Sequence, residues 1–252
     1  MSAVLRVQGL VKRFGGVLAT DHADLAVQAG ECHALIGPNG AGKTTLIHQL
    51  SGSLSSDAGR VFLQGQDISH WSMHRRVRAG LVRSYQITSV FQRLSVQDNL
   101  ALALQTKAGG LWRWWAPASA DQARFDQAAA WAERVGLSNW LDRPAHTLSH
   151  GQQRQLEVAM ALATEPTVVL LDEPMAGMGP DESQRMLAWL RSIKGQVSML
   201  LVEHDMDAVF ALADTVSVLV AGRVMATGRP DEVRQNPAVK AAYLGDELGE
   251  AA

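Results

Sequence analysis

A single cysteine, Cys32, stands among the 252 residues. That excludes an internal disulfide and fits a reducing compartment. Bordering an apolar run, Cys32 reads as a small buried residue. Excess charge is lacking too: 23 basic against 25 acidic side chains leave a net charge of −2. Such a balance offers no basic face for nucleic acid. No apolar run approaches the ~20 residues needed to span a bilayer, so any membrane role is expected to go through partners. The opening Met1-Ser2-Ala3-Val4-Leu5-Arg6 lacks a signal-peptide layout. Internal repeats and low-complexity tracts are missing as well. What remains is an ordinary soluble globular composition, enough for one large domain or a core domain with a subdomain.

Against these absences one stretch stands out, Gly37-Pro38-Asn39-Gly40-Ala41-Gly42-Lys43-Thr44-Thr45. It fits G-x-x-x-x-G-K-[ST], and it follows an apolar run, His33-Ala34-Leu35-Ile36, and opens a helix at Thr45-Leu46-Ile47. Glycines let successive backbone N–H groups turn inward around anionic oxygens, and a helix start adds a favourable dipole. Lys43 is expected to reach the β- and γ-phosphates and the Thr44 hydroxyl to ligate Mg²⁺. A glycine-rich turn with no ligand is the poorer reading, because strand, loop, Lys-Thr and helix arrive together. The chain is expected to bind a nucleoside triphosphate.

Upstream, short strands at Val4-Leu5-Arg6-Val7 and Ala23-Asp24-Leu25-Ala26-Val27 flank a Gly15-Gly16 turn. Phe14, just before that turn, is placed either to stack on an adenine ring or to fill the core. Downstream come a turn from Gly52 to Gly59, a strand Arg60-Val61-Phe62-Leu63, a turn Gly65-Gln66-Asp67, a helix over 71–79 and a strand from Leu81 to Tyr85. From about 86 to 164 the pattern turns helical, with helices from Val96 to Leu104 and over 120–136. The aromatic cluster Leu111-Trp112-Arg113-Trp114-Trp115 reads as a membrane-interface or partner patch, or, the favoured reading, as a loop folded on neighbouring helices. Continuous apolar strands return at Thr167–Leu171 and Ser198–Val202, with helices over 181–194 and 206–213 and a hairpin around Ala221-Gly222-Arg223. Alternation at both ends around a helical insert predicts an α/β core with right-handed crossovers.

Two strand ends carry acids and an imidazole. Asp172-Glu173 closes one buried strand, where ligand crevices form in α/β sheets. Asp172 is expected to hold Mg²⁺ through water and Glu173 to polarise the attacking water, unless the pair merely caps the next helix. His204 ends the following strand and would reach the γ-phosphate. Gln86, also at a strand end, would touch Mg²⁺ or the lytic water.

The segment Leu148-Ser149-His150-Gly151-Gln152-Gln153 resembles LSGGQ, the signature of the ATP-binding cassette (ABC) family. Physically it presents a hydroxyl, a glycine N–H and a helix start, and Ser149 would cap the helix in any case. The resemblance covers essentially the whole chain, because Phe14, the phosphate loop, Gln86, the signature, Asp172-Glu173 and His204 keep the family order. It implies an α/β P-loop NTPase core of ABC type, with an antiparallel β-subdomain and a helical subdomain inserted at 87–164, all in one domain over 1–252. It also implies ATP and Mg²⁺ as ligands, with Ser149, Gly151 and Gln152 serving the ATP of the opposite protomer in a head-to-tail dimer.

Within the family the chain looks most like ATP-binding subunits of branched-chain amino acid importers. Arg83-Ser84-Tyr85-Gln86, the insert before the signature, Gly151–Glu157 and the tail from Asn236-Pro237 to Tyr243-Leu244-Gly245 carry that likeness. It implies two integral-membrane permeases, a second ATP-binding subunit (copy or paralogue), a periplasmic solute-binding protein reached indirectly, no nucleic acid, and a seat on the cytoplasmic face of a bacterial inner membrane. Contact with the permeases is expected near Gln86-Ile87-Thr88 and the helical block. Importers of urea, amides or aromatic acids and a lipopolysaccharide exporter are the alternatives. A non-transport ABC ATPase, or a kinase or GTPase sharing only the phosphate loop, ranks below them.

Two positions depart from the family pattern. His150 stands where the signature usually has its first glycine, so its side chain should point away from the phosphates. Gly179 stands where the loop after Glu173 usually has an Asp, which puts the usual cross-dimer contact in doubt.

Overall fold

The computed structural model describes residues 3–84, 90–107 and 122–241. Gln86, Ile87-Thr88, the Trp112–Trp115 cluster and the Tyr243-Leu244-Gly245 tail lie outside them. The chain divides into two compact units: residues 1–83, 167–173 and 193–252 form one, and 84–166 with 174–192 the other.

All ten strands of the described residues belong to the first unit. β1 (Ala3–Phe14), β2 (Val17–Gln28), β4 (Ala58–Leu63) and β5 (Gln66–Asp67) form an antiparallel sheet in the order β2-β1-β4-β5. β1 and β2 run for 12 residues each, well beyond the short strands expected there. In β2, Ala23, Leu25 and Val27 are buried at every second position, the pattern of a sheet with one face packed. The turn expected at 65–67 lies one residue earlier. Gln64 and Gly65 both take positive φ, at 49° and 81°, which suits a tight hairpin and frees Gln66–Asp67 to pair.

The second sheet runs β10-β9-β3-β8-β7-β6, formed from β3 (Cys32–Ile36), β6 (Leu81–Arg83), β7 (Val168–Asp172), β8 (Ser198–Val202), β9 (Thr215–Val220) and β10 (Arg223–Gly228). Every pairing in it is parallel except β9 with β10. All residues of β3, β7 and β8 are buried, as expected of parallel strands covered on both faces. Side-chain alternation splits β3 between two layers. Leu35 packs with Leu46, Ile47 and Leu50 of α1 (Lys43–Ser51), while Ala34 and Ile36 face Val209 of α7 (Met206–Leu212) and Val233 of α8 (Pro230–Gln235).

Arg76, in α2 (Met73–Arg78), is buried against the end of α1. Its guanidinium donates to the Gln49 and Leu50 carbonyls, both at 2.7 Å, and to the Ser69 and Trp71 carbonyls. A cation at a helix C-terminus satisfies carbonyls that have no partner within the helix. Burial lowers its pKa to about 10, which still leaves it charged near neutrality.

The second unit contains α3 (Val96–Lys107), α4 (Gln122–Arg134), α5 (His150–Ala163) and α6 (Pro180–Ser192). Helix α5 is the most buried of them, and it carries an internal ion pair, Arg154 Nη1 to Glu157 Oε2 at 2.6 Å. Trp189 of α6 meets Trp131 of α4 edge to face, with ring centroids 6.5 Å apart. Cys32 is buried as expected, and desolvation pushes its thiol up to about 12.

Glu31 anchors the entry to β3. Burial opposes its charge, but hydrogen bonds from His33, Thr215 and the Gln28 amide outweigh that and hold its pKa down, from 4.5 to about 2. A depressed carboxylate stabilises the fold above its unfolded pKa and loses that contribution as pH falls through the folded value. We therefore expect Glu31→Gln to be less stable at pH 7, and to lose less stability than wild type between pH 4.5 and about 2. Urea unfolding across that range measures both.

Candidate active site

The loop between β3 and α1 is shaped by close backbone approach. A Cβ on residue 37 would overlap the Leu219 carbonyl oxygen, and one on residue 42 would overlap that of Ala19. Both glycines also take positive φ, 155° and 101°, so side chains are excluded twice over. The Gly222 amide donates to the Ala41 carbonyl at 2.9 Å, tying the loop to the β9–β10 turn. Pro38 is half-buried and Ala41 buried, while Asn39, Gly40 and Thr44 are exposed at the loop's open side. Gly42, the N-cap, gives α1 no side-chain cap, and the first turn holds no acid. Such a helix start suits an external anion. Lys43 folds back and donates to the Gly37 and Pro38 carbonyls at 2.6 and 2.9 Å. Thr45 is half-buried beside it.

Parallel register brings the other residues to the same edge. Leu35 pairs with Val202 and Asp172 pairs with Val202, so β3, β8 and β7 end level. At ~4.8 Å per strand, Asp172 stands about 10 Å across the sheet from the start of the loop. Asp172 does not simply cap the next helix. It is 1% exposed, and its Oδ2 accepts from Arg83 Nη2 at 2.8 Å, an ion pair buried on both sides. The same Arg83 charge, after burial itself, holds the His48 imidazole below its ordinary pKa.

Glu173 follows in the left-handed region, at φ 49°, while its amide still donates to Val202 at 2.8 Å. A non-glycine residue held there is strained, and such strain gathers at functional sites. The turn carries the Glu173 carboxylate to within 4.0 Å of His204 Nδ1. His204 is 70% exposed, and Glu203, buried beneath it, lies 3.9 Å from the same nitrogen. Phe14 is not a core residue: it is 50% exposed at the end of β1, with the Lys12 ammonium 5.7 Å from its ring centroid. Its hairpin continues into Ala19, whose carbonyl meets Gly42.

The first unit therefore gathers the loop, Asp172, Glu173 and His204 at one sheet edge. An exposed Thr44 hydroxyl and a carboxylate two strands away suit a small oxygen-seeking cation bound jointly with phosphate. No cluster of three His, Cys, Asp or Glu side chains able to hold a metal occurs among the described residues.

Ser149, Gly151 and Gln152 lie in the second unit. Ser149 Oγ accepts from the Gln152 amide at 3.2 Å, and Gln152 Oε1 accepts from the Ser149 amide at 3.0 Å, a full capping box. His150, at the first helical position, is exposed. Arg83, Glu203 and Glu182 went unassigned in the sequence. A cation directly after the apolar pair Leu81-Val82 is the available signal for Arg83; Glu182 has none.

Known proteins resemble this chain in sequence and fold. A family model described as ABC transporter matches residues 20–176, and one described as branched-chain amino acid ATP-binding cassette transporter matches 223–249. The chain is 37% identical over 250 residues to the high-affinity branched-chain amino acid transport ATP-binding protein BraF of Pseudomonas aeruginosa, covering 96% of this chain and 98% of that protein. It is 35% identical over 251 residues to the lipopolysaccharide export system ATP-binding protein LptB of Acidithiobacillus ferridurans, covering 98% and 99%. Among solved structures, the ADP conformation of an ATP-binding cassette of an ABC transporter superposes with a TM-score of 0.83 at 29% identity, covering 97% of this chain and all of that one.

Removing Arg83 should take from the buried Asp172 carboxylate the guanidinium it faces at 2.8 Å. We expect Arg83→Met to cost about 3–5 kcal/mol of stability and Arg83→Met/Asp172→Asn to recover much of it. Urea unfolding of the single and double variants measures that recovery.

Proposed function

Because the chain belongs to the ABC transporter family, we propose that it is the ATP-hydrolysing subunit of an importer for branched-chain or related amino acids. The observation that carries the chemistry is Glu173, strained into the left-handed region directly after Asp172 and 4.0 Å from His204. In this reading Gly37–Thr45 cradles the phosphates of ATP, Lys43 leaves the Gly37 and Pro38 carbonyls for the β- and γ-phosphates, and Phe14 stacks on the adenine. Thr44 and Asp172, with Gln86 from outside the described residues, would hold Mg²⁺, which would supply positive charge against the phosphates. Glu173 accepts a proton from the attacking water, and His204 donates toward the γ-phosphate.

Ser149, Gly151 and Gln152 grip the nucleotide of a second cassette, a paralogue or another copy, in a head-to-tail pair. A helix start capped by Ser149, with no acid in its own first turn, supports that role. The whole chain then acts as one cassette, with 87–164 its helical insert. Two ATP molecules close the pair, hydrolysis reopens it, and closure shifts two attached permeases between their access states. A periplasmic binding protein delivers the solute. The importer reading places the chain peripherally on the cytoplasmic face of the inner membrane; no helix among the described residues is long and apolar enough to cross a membrane. Lipopolysaccharide export is the second reading, favoured by the 35% identity to LptB. The branched-chain match over residues 223–249 favours import.

Replacing Glu173 by Gln should cut steady-state hydrolysis about 10²–10⁴-fold and trap ATP in a closed pair. Brisk turnover in that variant contradicts the assignment. Ser149→Ala should slow hydrolysis and leave equilibrium ATP binding to the monomer unchanged. Weaker monomer binding would place the signature at its own chain's nucleotide.

A further inference from the structure

Glu182, at the third position of α6, sits with its carboxylate in front of the first turn of α5. Its Oε2 accepts from the Gly179 amide at 3.2 Å, which caps α6. Its Oε1 accepts from Ser149 Oγ at 3.3 Å. The carboxylate also fills the space that Gly151 leaves open, since a Cβ on residue 151 would overlap Glu182 Oε2 and its carboxyl carbon. Helix α5 has no acid in its own first turn, so the negative charge at its start comes from α6. An acid so placed meets the donors and the dipole that favour a bound anion.

We propose that Glu182 is a built-in occupant of the signature's anion seat, a carboxylate that stands in for the γ-phosphate and has to leave before a nucleotide is gripped there. The inference rests on the reading that Ser149 and Gly151 serve a second cassette's ATP. The Ser149 hydroxyl has one proton. Donated to Glu182, it is not available to a phosphate oxygen, and two anions cannot share that seat without strong repulsion. Glu182 thereby sets how much ATP the pair needs to close, without touching the nucleotide held by Lys43. Capping of α6 alone does not need the charge: a capping box takes Gln as well as Glu at this position. Glu182→Gln therefore keeps the cap and removes the plug.

The test follows the backbone amide NMR signals of Gly151 and Gln152 as inorganic phosphate is added to the full chain at constant ionic strength. We expect Glu182→Gln to take phosphate at these amides at least about tenfold more tightly than wild type, with an unchanged unfolding midpoint. Equal affinity in the two proteins, or no response in the folded variant, overturns the proposal. If Glu182→Gln fails to fold, Glu182→Ala carries the same comparison. A second readout uses the Glu173→Gln background and ATP-driven self-association by sedimentation, where Glu182→Gln should lower the ATP concentration required. Association unchanged by Glu182→Gln overturns the occupant. Tighter phosphate binding with no ATP-driven association of any variant keeps the occupant and removes the paired reading for two copies of this chain.

Discussion

Three parallel strands ending level are the constraint on which the chemistry of the first unit depends. The register of β3 with β8 and of β8 with β7 fixes where the chain leaves the sheet, and it leaves at Gly37, Glu203 and Glu173. Each exit then needs a local solution. At Gly37 and Gly42 it is backbone without side chains, pressed on the Leu219 and Ala19 carbonyls. At Glu173 it is a left-handed turn that a non-glycine residue adopts at some cost. Slipping one strand by a residue would turn Asp172 to the opposite face and dissolve the arrangement.

Charge is handled differently on the two sides of that edge. Asp172 is dry and faces a guanidinium at 2.8 Å, so the two groups are buried as a pair. Glu173 and His204 are wetter, and at 4.0 Å they stand beyond direct hydrogen-bonding distance of each other. Lys43, bonded to its own loop, keeps an ammonium ready among carbonyls. The second unit repeats the principle with an acid rather than a base, placing Glu182 at a helix start that attracts anions.

Much of this was legible in the sequence because it is local. The phosphate loop needs only consecutive residues in a strand–loop–helix context, and the buried strands announce themselves as unbroken apolar runs. Asp172, Glu173 and His204 were readable as strand-end residues, and Ser149 as a helix cap. The rest depends on partners far apart in the chain. Arg83 and Asp172 are 89 residues apart and Ser149 and Glu182 are 33 apart, and neither pairing leaves a periodic trace. The full length of β1 and β2 is hidden because polar residues such as Gln8, Arg13 and His22 sit on their exposed positions. β5 reads as a turn in the sequence because a two-residue strand is too short to show alternation. The left-handed Glu173 was invisible too, since its sequence neighbours do not call for that conformation.

The most direct measurement of the central claim is recovery of the chain from its native membranes in mild detergent, with every stoichiometric partner identified by mass spectrometry. An importer ATPase predicts two multi-span permeases, a second cassette and a solute-binding protein whose ligand is a branched-chain or related amino acid. Lipopolysaccharide-transport components would make it an exporter's ATPase, and recovery with ribosomes or DNA and no membrane protein would contradict transport altogether.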